Sequence, residues 1–364
     1  MTHTVAAKGP PGRWTIAAVL ATIVLALSAL HVWWLHRFRD GFSVDIDESG
    51  YLWFAYHLHD VLQDDGLVGM WERFQGEGWV GPLLPIVTAL VEALGGTSEI
   101  VHSMAVQLLF FAVLVLSSYG IGRRLLDWRA GLLTAVVVAT LPAVTDFVRT
   151  YHLVMPTTAM YALATYALLE SDRLRRRGWM IVWGFALGLT LLSRSMAIAF
   201  LPALPLAAGW MLVVDRPDRR RILNLSLGLG VFLLVALQWY ASTWRPIFDY
   251  LVSFGYGEET PGRGVSPSPV SLGYWTDELI GTIDVSLYLP LASVFAAAFL
   301  VVLVSRAPAA LRAAGGARPL AGRAARSEVL VPVFVVVEGY LALTSSSNDG
   351  TGFVVPLLPA VAAL

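Results

Sequence analysis

After a short polar start, MTHTVAAKGPPGRW, the chain runs without charge from Thr15 to Leu35. Similar apolar runs recur at 100–121, 129–149, 153–170, 178–194, 196–214, 222–243, 286–305 and 328–346. With 14–36 in front and a last run at 352–364, they predict about ten membrane helices. Crossing a bilayer core of ~30 Å takes ~20 residues as a helix. The last run falls short of that, so the chain reads as a bundle with an incomplete final span and a truncated C-terminus. The run after the N-terminus is too long for a signal-peptide core and lacks a clear cleavage site, so it reads as a retained first span. One further apolar stretch, 79–96, carries Gly81, Pro82 and Pro85 early and Glu92 late.

Basic residues decide how that stretch is placed. If 79–96 lies along the interface, four arginine-bearing loops fall on one side. They hold Arg123, Arg124 and Arg129; Arg173 to Arg177; Arg216 to Arg221; and the 306–327 linker. Lys8 and Arg13 share that side, which then holds most of the 25 basic residues. The positive-inside rule makes it the cytoplasm. The N-terminus is therefore expected in the cytoplasm of a plasma-membrane protein. The segments 37–99 and 244–285 are expected outside, as parts of a single transmembrane domain.

Composition supports this class and narrows it. Of 364 residues, 57% are hydrophobic and 14% charged, with mean hydropathy +0.67, far above a soluble domain. The absence of cysteine excludes disulfides and thiolate metal sites. A net charge of −1 gives no sign of a nucleic-acid partner. No internal repeat is visible, which weakens a transporter built from duplicated halves.

The outside segment begins with SVDIDESGYLWFAYHLHD. Asp45, Asp47 and Glu48 lie within four residues, followed by Tyr51, Trp53, Phe54 and Tyr56. Asp45 and Glu48 have capping-box spacing, which predicts a surface helix over 48–61 with aromatic anchors. A cap accounts for one or two acids, not for three. The remaining reading is a reactive carboxylate at the mouth of a membrane cavity, able to take a proton from an attacking hydroxyl. Neighbouring acids differ in pKa, so one can act as base while another orients it. Asp-x-Asp also suits a divalent cation. Asp249, Glu258 and Glu259 are the only obvious outside candidates to complete such a site, and they form no second ligand cluster, so no cofactor is expected.

Several motifs, in this order and topology, resemble the GT-C membrane glycosyltransferases. The similar branch contains protein O-mannosyltransferases, the lipid A aminoarabinose transferase and bacterial lipopolysaccharide sugar transferases. The motifs are Asp47-Glu48 followed by Tyr51, Gly81-Pro82-Leu83 running to Gly95-Gly96, Gly122-Arg123-Arg124, Gly188 to Arg194 (GLTLLSR), and Phe353 to Pro359 (FVVPLLP). Two departures stand out. Gly352-Phe353 occupies the place of the family's Arg-Tyr, removing one phosphate-binding arginine, and an extracytoplasmic C-terminal part is absent. The resemblance implies an all-α GT-C bundle with a helical first outside loop. It also implies inverting transfer of a sugar from a polyprenyl-phosphate donor on the outer face. The acceptor would be a hydroxyl on a glycan, lipid or protein. Asp47 matches the catalytic acid of the motif and Glu48 its neighbour; Asp45 has no counterpart in the motif, and from their place in the stretch Asp45 and Tyr51 are expected to line the substrate.

A departing polyprenyl phosphate needs a cation near the outer leaflet, and arginine suits it through bidentate contacts. Arg149 and Arg194 lie at the outer ends of spans. Arg149 ranks first because VRTYHLVMP, with His152 and Pro156, makes a polar break there; Arg194 ranks second and Arg245 third. Snorkelling at a helix end is the bland explanation for each. A transporter or flippase of lipid-linked saccharide, or an inactive assembly subunit with the same fold, is the competing class. Repeats and charges in several spans would favour the transporter, and both are scarce.

Overall fold

The computed structural model describes residues 12–41, 43–76, 80–95, 99–214, 218–256, 327–345, 352 and 354–363. The outside segment from 257 onward, the run at 286–305, the 306–326 linker and Phe353 lie outside the described residues. Among the described residues every regular element is helical. In chain order they are α1 (Arg13–Phe38), α2 (Ile46–Gly76), α3 (Leu83–Gly95), α4 (Ile100–Ala105), α5 (Gln107–Leu125), α6 (Trp128–Thr140) and α7 (Pro142–Val148). Then come α8 (Val154–Glu170), α9 (Arg177–Ser193), a 3₁₀ turn (Ser195–Ala199), α10 (Ala203–Val214), α11 (Arg219–Tyr256), α12 (Ser327–Ser345) and α13 (Leu358–Ala363).

Four described helical stretches are long and apolar enough to cross a membrane: Arg13–Phe38, Ile100–Leu125, Ser195–Val214 and Arg219–Ser253. The pair α6 and α7 makes a fifth if it counts as one bent span. The chain is thus a polytopic membrane protein; these four or five stretches are counted among the described residues, and the expected run at 286–305 lies outside them. Where a described run gives shorter helices than expected, the reasons are local. Pro142 lacks an amide hydrogen and pushes Leu141 to an extended ψ of 136°, so the run 129–149 breaks into two helices at 61°. The helices α8 and α9 form where expected but have 17 residues each, about 25 Å of rise. They sit inside the bundle: α8 is buried along nearly its whole length and packs against α5 and α9.

Small residues let these backbones meet. A Cβ on Gly184 of α9 would lie 2.0 Å from the Gly228 carbonyl oxygen of α11, so only glycine fits. The Gly122-Arg123-Arg124 motif docks α5 on the carboxyl end of α8. Arg123 Nη2 donates to Glu170 at 2.6 Å and Arg124 Nε to the Leu169 carbonyl at 3.1 Å, where helix carbonyls lack intrahelical partners.

The first outside segment departs from expectation in length. The helix expected over 48–61 continues through α2 to Gly76, because no breaker intervenes before Gly66, whose φ of 71° marks a kink. The helix α3, within the juxtamembrane stretch, has 13 residues, about 20 Å, too short to cross. It packs against α2. At the far end, α11 runs past the expected stop at 243, through Pro246, to Tyr256.

Candidate functional site

The first acid in the quoted stretch starts the helix. Asp45 Oδ1 accepts the Glu48 amide at 2.8 Å, and Glu48 Oε2 accepts the Asp45 amide at 3.1 Å. This is the reciprocal capping box that the spacing predicts. Glu48 does more than cap. Arg39 Nη2, at the end of α1, donates to Oε2 at 2.5 Å, and the Tyr151 amide, in the break between α7 and α8, donates to Oε1 at 2.8 Å. With 1% exposure, Glu48 ties three separate chain segments together.

Glutamine at this position keeps the shape but turns an NH₂ toward donors. Removing one member of a buried pair typically costs about 3–5 kcal/mol. Glu48→Gln is therefore expected to lower the thermal unfolding midpoint in detergent clearly. An unchanged midpoint would show that the junction holds without the charge.

With Glu48 turned inward, Asp47 is left facing outward, its side chain 63% exposed. His152 stands opposite. Its Nδ1 accepts the Val154 amide at 3.3 Å, so in the neutral ring the proton sits on Nε2. That Nε2 is 3.8 Å from Asp47 Oδ2. Tyr51 meets the His152 ring edge-on at 5.5 Å between centroids, and Phe147 packs beside it at 5.2 Å.

The loop carrying His152 is clamped from below. Buried Gln107 donates to the Thr150 carbonyl at 3.1 Å and to the His152 carbonyl at 2.8 Å, and Tyr151 Oη donates to Thr88 Oγ1 of α3 at 2.7 Å. Each bond ties the loop to a buried side chain of another chain segment, which fixes the loop's position.

Arg194 closes the site from α9. Its backbone is extended at the helix end, φ −157° and ψ 127°. The Gly81-Pro82-Leu83 motif explains why it stays there. A Cβ on Gly81 would lie 2.0 Å from the Ser193 carbonyl oxygen and 2.8 Å from the Arg194 amide nitrogen, so the start of α3 lies against this backbone. Arg194 Nη1 reaches the Gly352 carbonyl at 3.4 Å. Its charge acts on Asp47, Tyr51 and Tyr250 of α11.

These neighbours set the protonation of the outward groups. His152 beside it, more than any other neighbour, holds the Asp47 carboxyl below its ordinary value; burial works the other way, and Arg194 adds to the lowering. Burial pushes the Tyr51 hydroxyl up, with Arg194 opposing. Asp47 is thus an ionised acceptor at neutral pH, beside a phenol that stays protonated.

The structure brings together Asp47, Tyr51, His152 and Arg194 of the residues singled out in the sequence, with Asp45 at the base of the same turn. Arg149 goes elsewhere. Its Nε contacts His31 Nδ1 at 3.2 Å and its guanidinium lies 4.6 Å from the Trp34 ring centroid, both on α1. Arg245 is exposed on α11 over Trp244. Tyr250, one turn beyond, was not anticipated. Its signal was the spacing of Ile247, Tyr250 and Leu251, which continues a helical face past Pro246. Gln107 and Thr88 carry no signal of this kind. Among the described residues no group of three or more His, Asp or Glu is placed to hold a metal ion.

Comparison with known proteins gives the following. Residues 80–241 match the family model described as dolichyl-phosphate-mannose-protein mannosyltransferase. The fold is similar to that of ArnT from Cupriavidus metallidurans bound to undecaprenyl phosphate: TM-score 0.63, 18% identity, covering 97% of this chain and 59% of that one. The apo state of the same protein gives TM-score 0.61 at 17% identity, covering 96% and 58%. The Archaeoglobus fulgidus oligosaccharyltransferase in its apo form gives 0.54 at 13% identity, covering 96% and 49%. The chain therefore spans about three fifths of the ArnT chain or less. A search of curated proteins by sequence found no match.

Proposed function

We propose that this membrane protein, whose fold is similar to that of GT-C glycosyltransferases, transfers a sugar from a polyprenyl-phosphate donor to a hydroxyl acceptor on the extracytoplasmic face. The observation that carries the reading is the meeting of Asp47 and Arg194. A solvent-facing carboxylate at the start of α2 lies 3.8 Å from His152, and the charge of a guanidinium at the end of α9 acts on it. The family description, a mannosyl-phosphate lipid user, and the undecaprenyl phosphate bound to one structural neighbour support the donor class.

In this reading the acceptor oxygen attacks the anomeric carbon on the face opposite the phosphate. Asp47 receives its proton, the carbon–oxygen bond to phosphate breaks, and the bonding pair leaves with the polyprenyl phosphate. A single displacement of this kind inverts the anomeric centre. Arg194 neutralises the charge gathering on the phosphate, where a preorganised cation is most effective. Tyr51, protonated, is a donor to the same headgroup. Glu48 and Asp45 act through position, by fixing the turn from which Asp47 projects.

His152 has a distinct duty. By holding Asp47 ionised it extends the working range toward acid, at the cost of a weaker base. His152→Gln removes the largest influence lowering the Asp47 pKa. The acid limb of kcat/KM, which reports the free enzyme, is therefore expected to move to higher pH while transfer at alkaline pH persists. Rates of labelled-sugar transfer across a pH series would read this. An acid limb that stays in place in His152→Gln would contradict the pairing.

A further inference from the structure

The other end of α9 carries a second, unrelated constellation. A cavity of about 570 Å³ opens there, lined by Arg177, Arg219, Arg220, Leu223, Asn224 and Leu227. Arg177 begins α9 and Arg219 begins α11. The two helices run in the same direction, since Gly184 meets Gly228 and, one turn on, Gly188 meets Val235. Their amino ends, where helix dipoles favour anions, therefore share the cavity. Arg194 sits past the opposite end of α9, roughly 25 Å away by helix rise.

Two of the nearby acids are already committed. Glu170 pairs with Arg123 and Arg176, and Asp218 with Arg221. Among the described residues no ion pair reaches Arg177, Arg219 or Arg220. The cavity's shape is held from one side by buried Asn224. It donates to the Leu174 carbonyl at 2.8 Å and to the Arg175 carbonyl at 3.0 Å. Those residues end a turn with three successive left-handed positions, Asp172, Arg173 and Leu174. The turn delivers Arg177 to the cavity.

We propose that this cavity binds the headgroup of an anionic phospholipid in the leaflet opposite the transfer site. Leu223 and Leu227 carry the argument from a phosphate to a lipid. They follow the arginines up the membrane-crossing α11 and form an apolar wall below the cationic mouth. A free phosphate has no use for such a wall; acyl chains do. Basic pockets between membrane helices suit such headgroups, and each arginine adds to the attraction.

The test uses the full chain purified in a neutral detergent and native mass spectrometry with added cardiolipin or phosphatidylcholine. The wild type is expected to retain cardiolipin and not phosphatidylcholine. Arg177→Gln, Arg219→Gln and Arg220→Gln together are expected to cut retention roughly tenfold or more. Should that variant fail to fold, Leu227→Trp keeps the arginines and fills the apolar wall, and it too is expected to lose the lipid. Excess inorganic phosphate should leave the lipid bound. Equal retention in a folded variant, equal retention of phosphatidylcholine, or displacement by inorganic phosphate would overturn the assignment. None of these outcomes bears on transfer at Asp47.

Discussion

Asp47→Asn is expected to remove transfer while leaving the protein intact. The side chain is 63% exposed, and the capping box beneath it is made by Asp45 and Glu48. Asparagine keeps the volume and the polarity but cannot accept the acceptor's proton. Loss of a positioned base costs about 10²–10⁴-fold in rate. The loss should fall on kcat, with the donor KM little changed, because the carboxylate makes its contribution as the proton moves. Initial rates at matched protein levels in membranes would show it. Rates equal to wild type would reduce Asp47 to a solvated first-turn acid at a helix amino end.

Arg194→Ala should be nearly as damaging, for a different reason. Arg194 Nη1 reaches the Gly352 carbonyl at 3.4 Å, and its charge acts on Asp47 and Tyr51 at the mouth of the site, so the charge is what this substitution removes. Removing a donor aimed at developing charge typically costs about 10²–10³-fold in kcat. Arg194→Lys keeps the charge, loses the two-pronged contact, and should fall between. The same substitution has a second readout. Without the guanidinium, the Asp47 pKa loses one of the influences that lower it, so the acid limb should also rise in pH. Wild-type donor dependence in Arg194→Ala would show that the phosphate is held by another group.

What the sequence disclosed of this site was mostly local. Asp45 and Glu48 lie three residues apart, and capping chemistry is decided within one turn, so their pairing could be read directly. The all-helical membrane bundle was legible for the same reason, since each apolar run carries its own evidence of length. Helix ends were harder. Pro142 split one run into two, whereas Pro246, equally plain in the sequence, was absorbed within α11. A proline ends a helix only when packing does not hold the turns beyond it; here Ile247 is buried and keeps α11 going.

The long-range part was hidden. His152 was singled out as part of a polar break, but nothing in its neighbourhood names Asp47 as its partner. The ranking of arginines shows the limit. Arg149 and Arg194 both sit at span ends, and only the rotation of each helix end decides where they point. The short α7, bent away from α6, turns Arg149 toward His31 and Trp34, while Gly81 pins the backbone at Arg194, whose charge acts on Asp47. That contact depends on the α3 backbone meeting the end of α9, which no pattern of residue types encodes. Glu48 was read as the neighbour of Asp47 in the chemistry; the structure turns it inward against Arg39 and the Tyr151 amide, and the role proposed for it is one of position.

The most direct measurement is the fate of a doubly labelled donor, with sugar and polyprenyl phosphate carrying separate labels, in sealed membranes containing the chain. A panel of donor sugars would be needed. The proposed function predicts that the sugar label moves to a hydroxyl acceptor with inverted configuration, and that one polyprenyl phosphate is released per transfer. Passage of intact donor across the bilayer, with both labels together and no release, would contradict transfer and favour a flippase.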